Sequence, residues 1–223
     1  MKKGADDLIK KFNIDTEKLE SEQKKLAKLI VSKDERDFSI LQFIAGCDVI
    51  TISNKVIGSI VVCTPDLEVV EQKFSIQRAT FPYIPGFLTY RELPVLKDCF
   101  EKIENVPDVI FIDGNGTLHP QGCGLASHFG LSVSIPTIGV AKELLCGTAK
   151  NGKVYVDGKV RGAEFITKEG SKPIYVSVGH LISLETALKL TRDFVRPPHK
   201  MPKPIAFAHK HGNKVKNELM KKG

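Results

Sequence analysis

The sequence predicts an α/β domain: a mixed sheet in which an antiparallel meander leads into parallel strands, flanked by helices. Three patterns point to it. Phe43–Asp48, Lys55–Cys63 and Leu67–Phe74 are strand-like runs with connections as short as Ser53-Asn54-Lys55, the mark of a meander. Val109–Ile112 and Ile135–Val140 are short apolar runs of the kind buried in parallel sheets. Between and around them lie stretches with helical periodicity. A chain of 223 residues suits one compact unit of this class.

In chain order, Thr16–Ile30 carries Leu19, Gln23, Leu26, Leu29 and Ile30 at helical spacing, which predicts an amphipathic helix ahead of the main fold. After the Pro82–Gly86 turn, Leu88–Ile103 has helical apolar spacing, with Pro94 expected near the helix start. A helix is expected across Gly122–Phe129. Asp157-Gly158 separates Lys153–Val156 from Lys159–Phe165, a strong two-residue hairpin signal. Ile174–Val178 reads as a last strand, and Ser183–Phe194 as a helix with Ser183 as N-cap and Glu185 in its first turn. Prolines 197, 198, 202 and 204 argue against regular structure from Arg196 to Pro204. The expected organisation is a helical segment at 1–36 packed on the main domain, a catalytic domain at 37–209 and a basic tail at 210–223.

Composition is that of a soluble globular protein: 42% hydrophobic, 26% charged, 7% aromatic. No apolar run is long enough to span a membrane, and the first residues lack a secretory h-region, so a cytoplasmic protein is expected. Five scattered cysteines without a CxxC pair suggest neither zinc ribbon nor disulfide framework. Arg196 and seven lysines oppose Glu218 alone in the last 28 residues, which accounts for the whole net charge of +7. A neutral body with a basic end suits a phosphate-backbone ligand, although a merely solvated terminus would look the same.

Two aspartates stand where carboxylates are costly. Asp48 follows Phe43-Ile44-Ala45-Gly46-Cys47, and Asp113 follows Val109-Ile110-Phe111-Ile112. A carboxylate at the end of a buried strand needs a partner or a metal, and ligands bind at the carboxyl ends of parallel strands. Oxygen ligands without clustered Cys or His favour Mg²⁺ or Mn²⁺ over Zn²⁺.

Asp113 opens the glycine-rich segment Asp113-Gly114-Asn115-Gly116-Thr117-Leu118-His119-Pro120-Gln121-Gly122-Cys123-Gly124. No Gly-Lys-Ser/Thr follows, so it is not a Walker loop. His119 is either a proton-transfer group or a loop histidine with a structural hydrogen bond. In Phe81-Pro82-Tyr83-Ile84-Pro85-Gly86 two prolines fix the backbone around Tyr83 and Ile84. The pair is either a core-packed turn or an apolar wedge that enters a base stack.

Together these residues resemble the endonuclease V family of deoxyinosine-directed repair nucleases. The resemblance runs from Ala45 to His209. It rests on Gly46-Cys47-Asp48-Val49, Phe81 to Gly86, Tyr90-Arg91-Glu92, Asp113-Gly114-Asn115-Gly116 with His119-Pro120, and Gly124 to Gly130. Ile138-Gly139-Val140-Ala141-Lys142 and Val178-Gly179-His180 complete it.

The resemblance implies a ribonuclease H-like fold with Asp48, Glu92 and Asp113 at a Mg²⁺ site that Mn²⁺ also fills, and His209 approaching that site. Glu92 owes its place to the resemblance. It further implies that Tyr83 belongs to a wedge (Pro82, Tyr83, Ile84, Pro85) and that backbone of Gly86–Leu88 and Gly114–Gly116 lines a pocket for the flipped hypoxanthine. Lys142 is implied near the scissile phosphate, with His119 a further catalytic candidate.

The implied reaction cuts the second phosphodiester bond 3′ to the lesion, leaving 3′-hydroxyl and 5′-phosphate ends. The substrate expected is DNA holding deoxyinosine, with inosine-containing RNA as the alternative within the family. A non-catalytic binder of deaminated bases and a nuclease without lesion recognition are the rival readings. A monomer with no obligate protein partner and no membrane contact is expected. Asn115 stands where many relatives have His, Gln121 where they have Arg, and Ala206 where an arginine closes the family motif. The basic tail is therefore a candidate source of replacement phosphate contacts.

Overall fold

The computed structural model describes residues 2–168 and 170–222; Met1 of the 1–36 segment and Gly223 of the tail lie outside the described residues. Helices α1 (Lys2–Lys11) and α2 (Thr16–Ala27) come first. Asp15 caps α2 by accepting from the Lys18 amide, so the predicted helix begins where expected and ends three residues early. The meander follows as β1 (Ile44–Ile52), β2 (Lys55–Cys63) and β3 (Val69–Arg78). β1 runs four residues past Asp48, and β3 is shifted and longer than the Leu67–Phe74 expectation.

Next come α3 (Thr89–Phe100), β4 (Val109–Asp113), α4 (Leu125–Val133) and β5 (Thr137–Ala141). Pro94 sits inside α3, beyond its first turn. α4 starts at Leu125 because the preceding glycines carry the loop. Then β6 (Thr148–Lys150), β7 (Lys153–Val156), β8 (Lys159–Phe165) and β9 (Ile174–His180) lead to α5 (Leu184–Phe194) and α6 (Lys203–Lys222). Asp157 and Gly158 both have positive φ, as a two-residue hairpin with matching twist requires. Asn151-Gly152 makes the same turn between β6 and β7, a hairpin the sequence reading did not use.

Among the described residues one sheet forms, in the order β3-β2-β1-β4-β5-β9-β8-β7-β6. β1, β4 and β5 are parallel neighbours, and the remaining pairs are antiparallel. The predicted mixed sheet with flanking helices is the fold observed. One face holds Ile44, Phe111, Val140 and Val178 beneath α5 and the start of α6; the other holds Ala45, Cys47, Ile110 and Ile112 beneath α3 and α4. Four cysteines are buried and Cys146 is partly so, all with free thiols.

The C-terminal expectation needs correction. Residues 210–222 are not a separate tail, because the 209/210 boundary falls inside α6. Pro202 and Pro204 did not exclude this helix: a proline in a first turn needs no amide donor there. Ile205, Ala208, Gly212, Val215 and Leu219 then form an apolar stripe laid on β1 and β2. A Cβ on Gly46 would lie 2.0 Å from the Pro204 carbonyl oxygen, so the strand glycine is what lets the helix approach this closely.

Candidate active site

Strand register puts the two aspartates side by side. Cys47 pairs with Ile112 in the parallel ladder, so the next residues, Asp48 and Asp113, stand level on adjacent strands. Alternation points both to the α6 face, with Phe111 and Gly46. Asp48 is 8% exposed; its Oδ1 accepts from the Val49 amide and its Oδ2 lies 2.6 Å from His209 Nδ1 on α6. Asp113 pairs with Val140 on β5, and two residues further Lys142 Nζ donates to Asp113 Oδ2 at 2.7 Å. Lys142 follows the strand directly and does not begin a helix.

Glu92 enters from the first turn of α3. Burial, then the charges of Asp48 and Asp113, push its carboxyl up to about 8. Burial and Asp113 likewise raise Asp48, against the pull of His209 and Lys142. Burial works against the Lys142 ammonium, but the charge and hydrogen bond of Asp113 outweigh it, so Lys142 stays protonated. The structure thus gathers Asp48, Glu92, Asp113, Lys142 and His209.

Among the described residues no three His, Cys, Asp or Glu side chains are drawn together tightly enough to hold a metal ion as they stand. Like charge is the physical reason: Asp48 has turned to His209 and Asp113 to Lys142. The donor set nonetheless fits a hard divalent cation. Three carboxylates share one lysine and one imidazole, and two of them are pushed toward protonation by burial first and by their neighbours' charge second, so a cation there would be favourable.

Beside the carboxylates stands the Pro82–Gly86 loop, clamped at both ends. Arg91 Nη1 donates to the Phe81 carbonyl at 2.6 Å. Pro85-Gly86 forms a tight turn closed by the Phe87 amide on the Ile84 carbonyl, with Gly86 at φ +88°. The Gly86 carbonyl accepts from His119 Nε2 at 2.9 Å and from Gln23 Nε2 at 3.0 Å. Within this frame Ile84 is 2% exposed and Tyr83 60% exposed. The dipeptide divides its roles: Ile84 anchors the loop in the core and is not available as part of a wedge, while Tyr83 is presented to solvent.

Two further expectations change. His119 is buried, its Nε2–H serves the Gly86 carbonyl, and its Nδ1 accepts from the Gln121 amide. Burial pulls it down to about 4, so it is a neutral clamp with neither nitrogen free for proton transfer. The catalytic role considered for His119 gives way to the structural one. The glycine-loop amides are also committed, Gly114 N–H to the Val140 carbonyl and Gly116 N–H to Ser177 Oγ. Neither amide is available to a base, and the Asn115 and Gly116 carbonyls are likewise taken, by the Ala126 and Gly124 amides; Asn115 Oδ1 is left as a buried acceptor without a partner among the described residues. Leu88 is the N-cap of α3 and Pro82 and Pro85 flank Tyr83, so these three shape the loop.

Gln23 was missed. It lies on the apolar stripe of α2 and is fully buried, and only the fold reveals the carbonyl it serves. A glutamine among leucines was the one available signal.

The family model described as Endonuclease V matches residues 24–210. The chain belongs to the Endonuclease V family. The Endonuclease V of Dictyoglomus thermophilum is 36% identical over 204 residues, covering 87% of this chain and 88% of that protein. That of Trichormus variabilis is 39% identical, covering 84% and 89%. Among solved structures, the catalytic domain of human Endonuclease V superposes with a TM-score of 0.82 at 32% identity, covering 92% of this chain and 97% of that one. Ciona intestinalis Endonuclease V, solved in complex with a 24mer DNA containing an inosine followed by a ribo-adenosine, gives a TM-score of 0.79 at 27% identity, covering 92% and 98%. Membership of this family makes the chain a nuclease.

Proposed function

We propose that this chain is a metal-dependent endonuclease that recognises deoxyinosine as a flipped base and cuts the second phosphodiester bond 3′ to it, leaving 3′-hydroxyl and 5′-phosphate ends. The observation that carries this reading is the pairing of two devices. An under-neutralised cluster of three carboxylates lies beside an exposed tyrosine on a loop fixed at both ends. A nuclease without lesion recognition has no use for the second device.

Asp48, Glu92 and Asp113 would hold Mg²⁺ or Mn²⁺, with His209 adjoining through Asp48. Bound there, such an ion supplies an activated water and offsets charge on the phosphate being cut. Lys142 holds a permanent cation beside Asp113, placed to stabilise developing phosphate charge. Tyr83 takes the space a base vacates when it leaves the stack, and the rigid loop limits the entropy lost on doing so. His119 and Gln23 hold the loop; neither moves a proton.

The Ciona complex, with a ribo-adenosine after its inosine, favours a second reading in which inosine-containing RNA is cut. The deciding experiment incubates the protein with labelled inosine-containing DNA and RNA of one sequence, with Mg²⁺ and with EDTA. Cleavage that needs both inosine and Mg²⁺ and is lost in Asp113→Ala supports the proposal. Equal cutting of adenine controls, or nicking retained by Asp113→Ala, overturns it.

A further inference from the structure

We propose that the exposed face of α6, from Lys210 to Lys221, is a track for the phosphodiester backbone of the strand being cut. The proposal rests on the nuclease reading above and assigns a surface that the carboxylate site does not include.

Its direction comes from packing. α6 runs the same way as β1: Pro204 lies against Gly46, His209 against Asp48, Gly212 against Ile50, and Leu219 joins the cluster holding Ile52. Since β1 continues four residues past Asp48, the helix continues past the carboxylates as well. Any polyanion seated at Asp48 and Asp113 and extending to that side meets this helix next.

The stripe comes from spacing. Lys210, Lys214, Asn217 and Lys221 fall four, three and four residues apart, which places them along one line of a helix. With His209 and Asn213 they occupy one open face of the helix, which begins at His209 beside Asp48. Eleven residues at 1.5 Å each make the row about 17 Å long, or about five base steps of a duplex.

The charge is unspent. All four stripe residues are exposed, and Lys210, Lys214 and Lys221 have no carboxylate within ion-pair distance among the described residues. Glu218 is the one acid on that face. A site built of three carboxylates repels nucleic acid at long range, and six lysines against Glu218 give this helix five of the chain's seven excess positive charges. A row of lysines leading away from the site offsets that repulsion for the strand that must enter it.

The test is the salt dependence of binding, measured in EDTA with labelled duplexes holding inosine or adenine at one position. Lys210→Gln, Lys214→Gln and Lys221→Gln are combined in one variant. A second variant changes the same three positions to Arg, and a third removes Lys150, Lys153 and Lys159 at the opposite end of the sheet. The track predicts that the Gln variant loses about 0.9 in the log–log salt slope per lost contact, so about 2–3 in total, equally on both duplexes. The Arg variant and the distal control keep the slope of the unchanged protein. An unchanged slope in the Gln variant, or an equal loss in the distal control, overturns the track and leaves the nuclease reading untouched. Loss of slope in a protein that does not prefer inosine supports the track while refuting lesion recognition.

Discussion

Replacing Glu92 with Gln should stabilise the metal-free protein while destroying its activity. In the unfolded chain this carboxyl ionises near its ordinary 4.5; in the fold, burial and the two aspartates hold its proton to about 8. As pH rises from 4.5 toward 8, unfolding releases a proton that the folded site must keep, so stability falls across that window and levels off above it. That gap sets a ceiling of roughly 5 kcal/mol, and the part of Glu92 that still meets water reduces it to on the order of 2–3 kcal/mol near pH 7–8.

Glutamine keeps the shape without the charge and should recover that amount. For a chain of this length the gain is about 4–12 °C in Tm. Thermal unfolding in EDTA at pH 4, 6, 7, 8 and 9 should show the two proteins together at the acid end and separating above it. Adding Mg²⁺ should then raise the parent protein's Tm far more than the variant's, because binding to the folded state is what stabilises it. A Glu92→Gln protein no more stable than the parent at pH 8 in EDTA would refute the idea that burial and the two aspartates hold Glu92 against ionisation.

Other outcomes follow from the same geometry. Tyr83→Ala should leave stability within about 0.5 kcal/mol, since the ring is mostly exposed, yet reduce the preference for inosine over adenine duplexes in a cleavage competition. Gln23→Leu should cost about 1 kcal/mol by denaturant unfolding, leave the Gly86 carbonyl with His119 alone, and weaken inosine preference more than cleavage of a saturating substrate. Lys142→Gln should lower the single-turnover rate by about 10²–10³-fold with little change in binding. Because His119 stays neutral down to about 4, the pH–rate profile between pH 5 and 8 should carry the same inflections in a His119→Gln variant that remains folded.

Much of the site was legible in the chain. Asp48 and Asp113 each follow an apolar run, and the parallel pairing of those runs puts the two carboxylates level without any further device. The Asp157-Gly158 hairpin and the Ser183 cap were equally readable, because turn and cap chemistry is local. Glu92 was not legible by pattern, since one acid in an amphipathic helix looks like any other; its role comes from what α3 faces. Gln23 was hidden for a related reason, because the carbonyl it serves lies 63 residues away.

The stripe from Ile205 to Leu219 was present in the sequence, but the prolines before it drew attention to a break. His119 and Ile84 show the reverse limit. Each has a residue type suited to function, and burial committed both to structure.

The close seating of α6 on Gly46 has a consequence for how the enzyme comes into being. His209 reaches Asp48 across 161 residues of sequence, so the carboxylate centre gains its imidazole only after the whole sheet has left the ribosome. A nascent chain still lacking residues 203–222 has neither the lysine row nor the helix that covers Ile50 and Ile57. Synthesis order thereby makes the imidazole and the lysine row later additions to the site than its two aspartates.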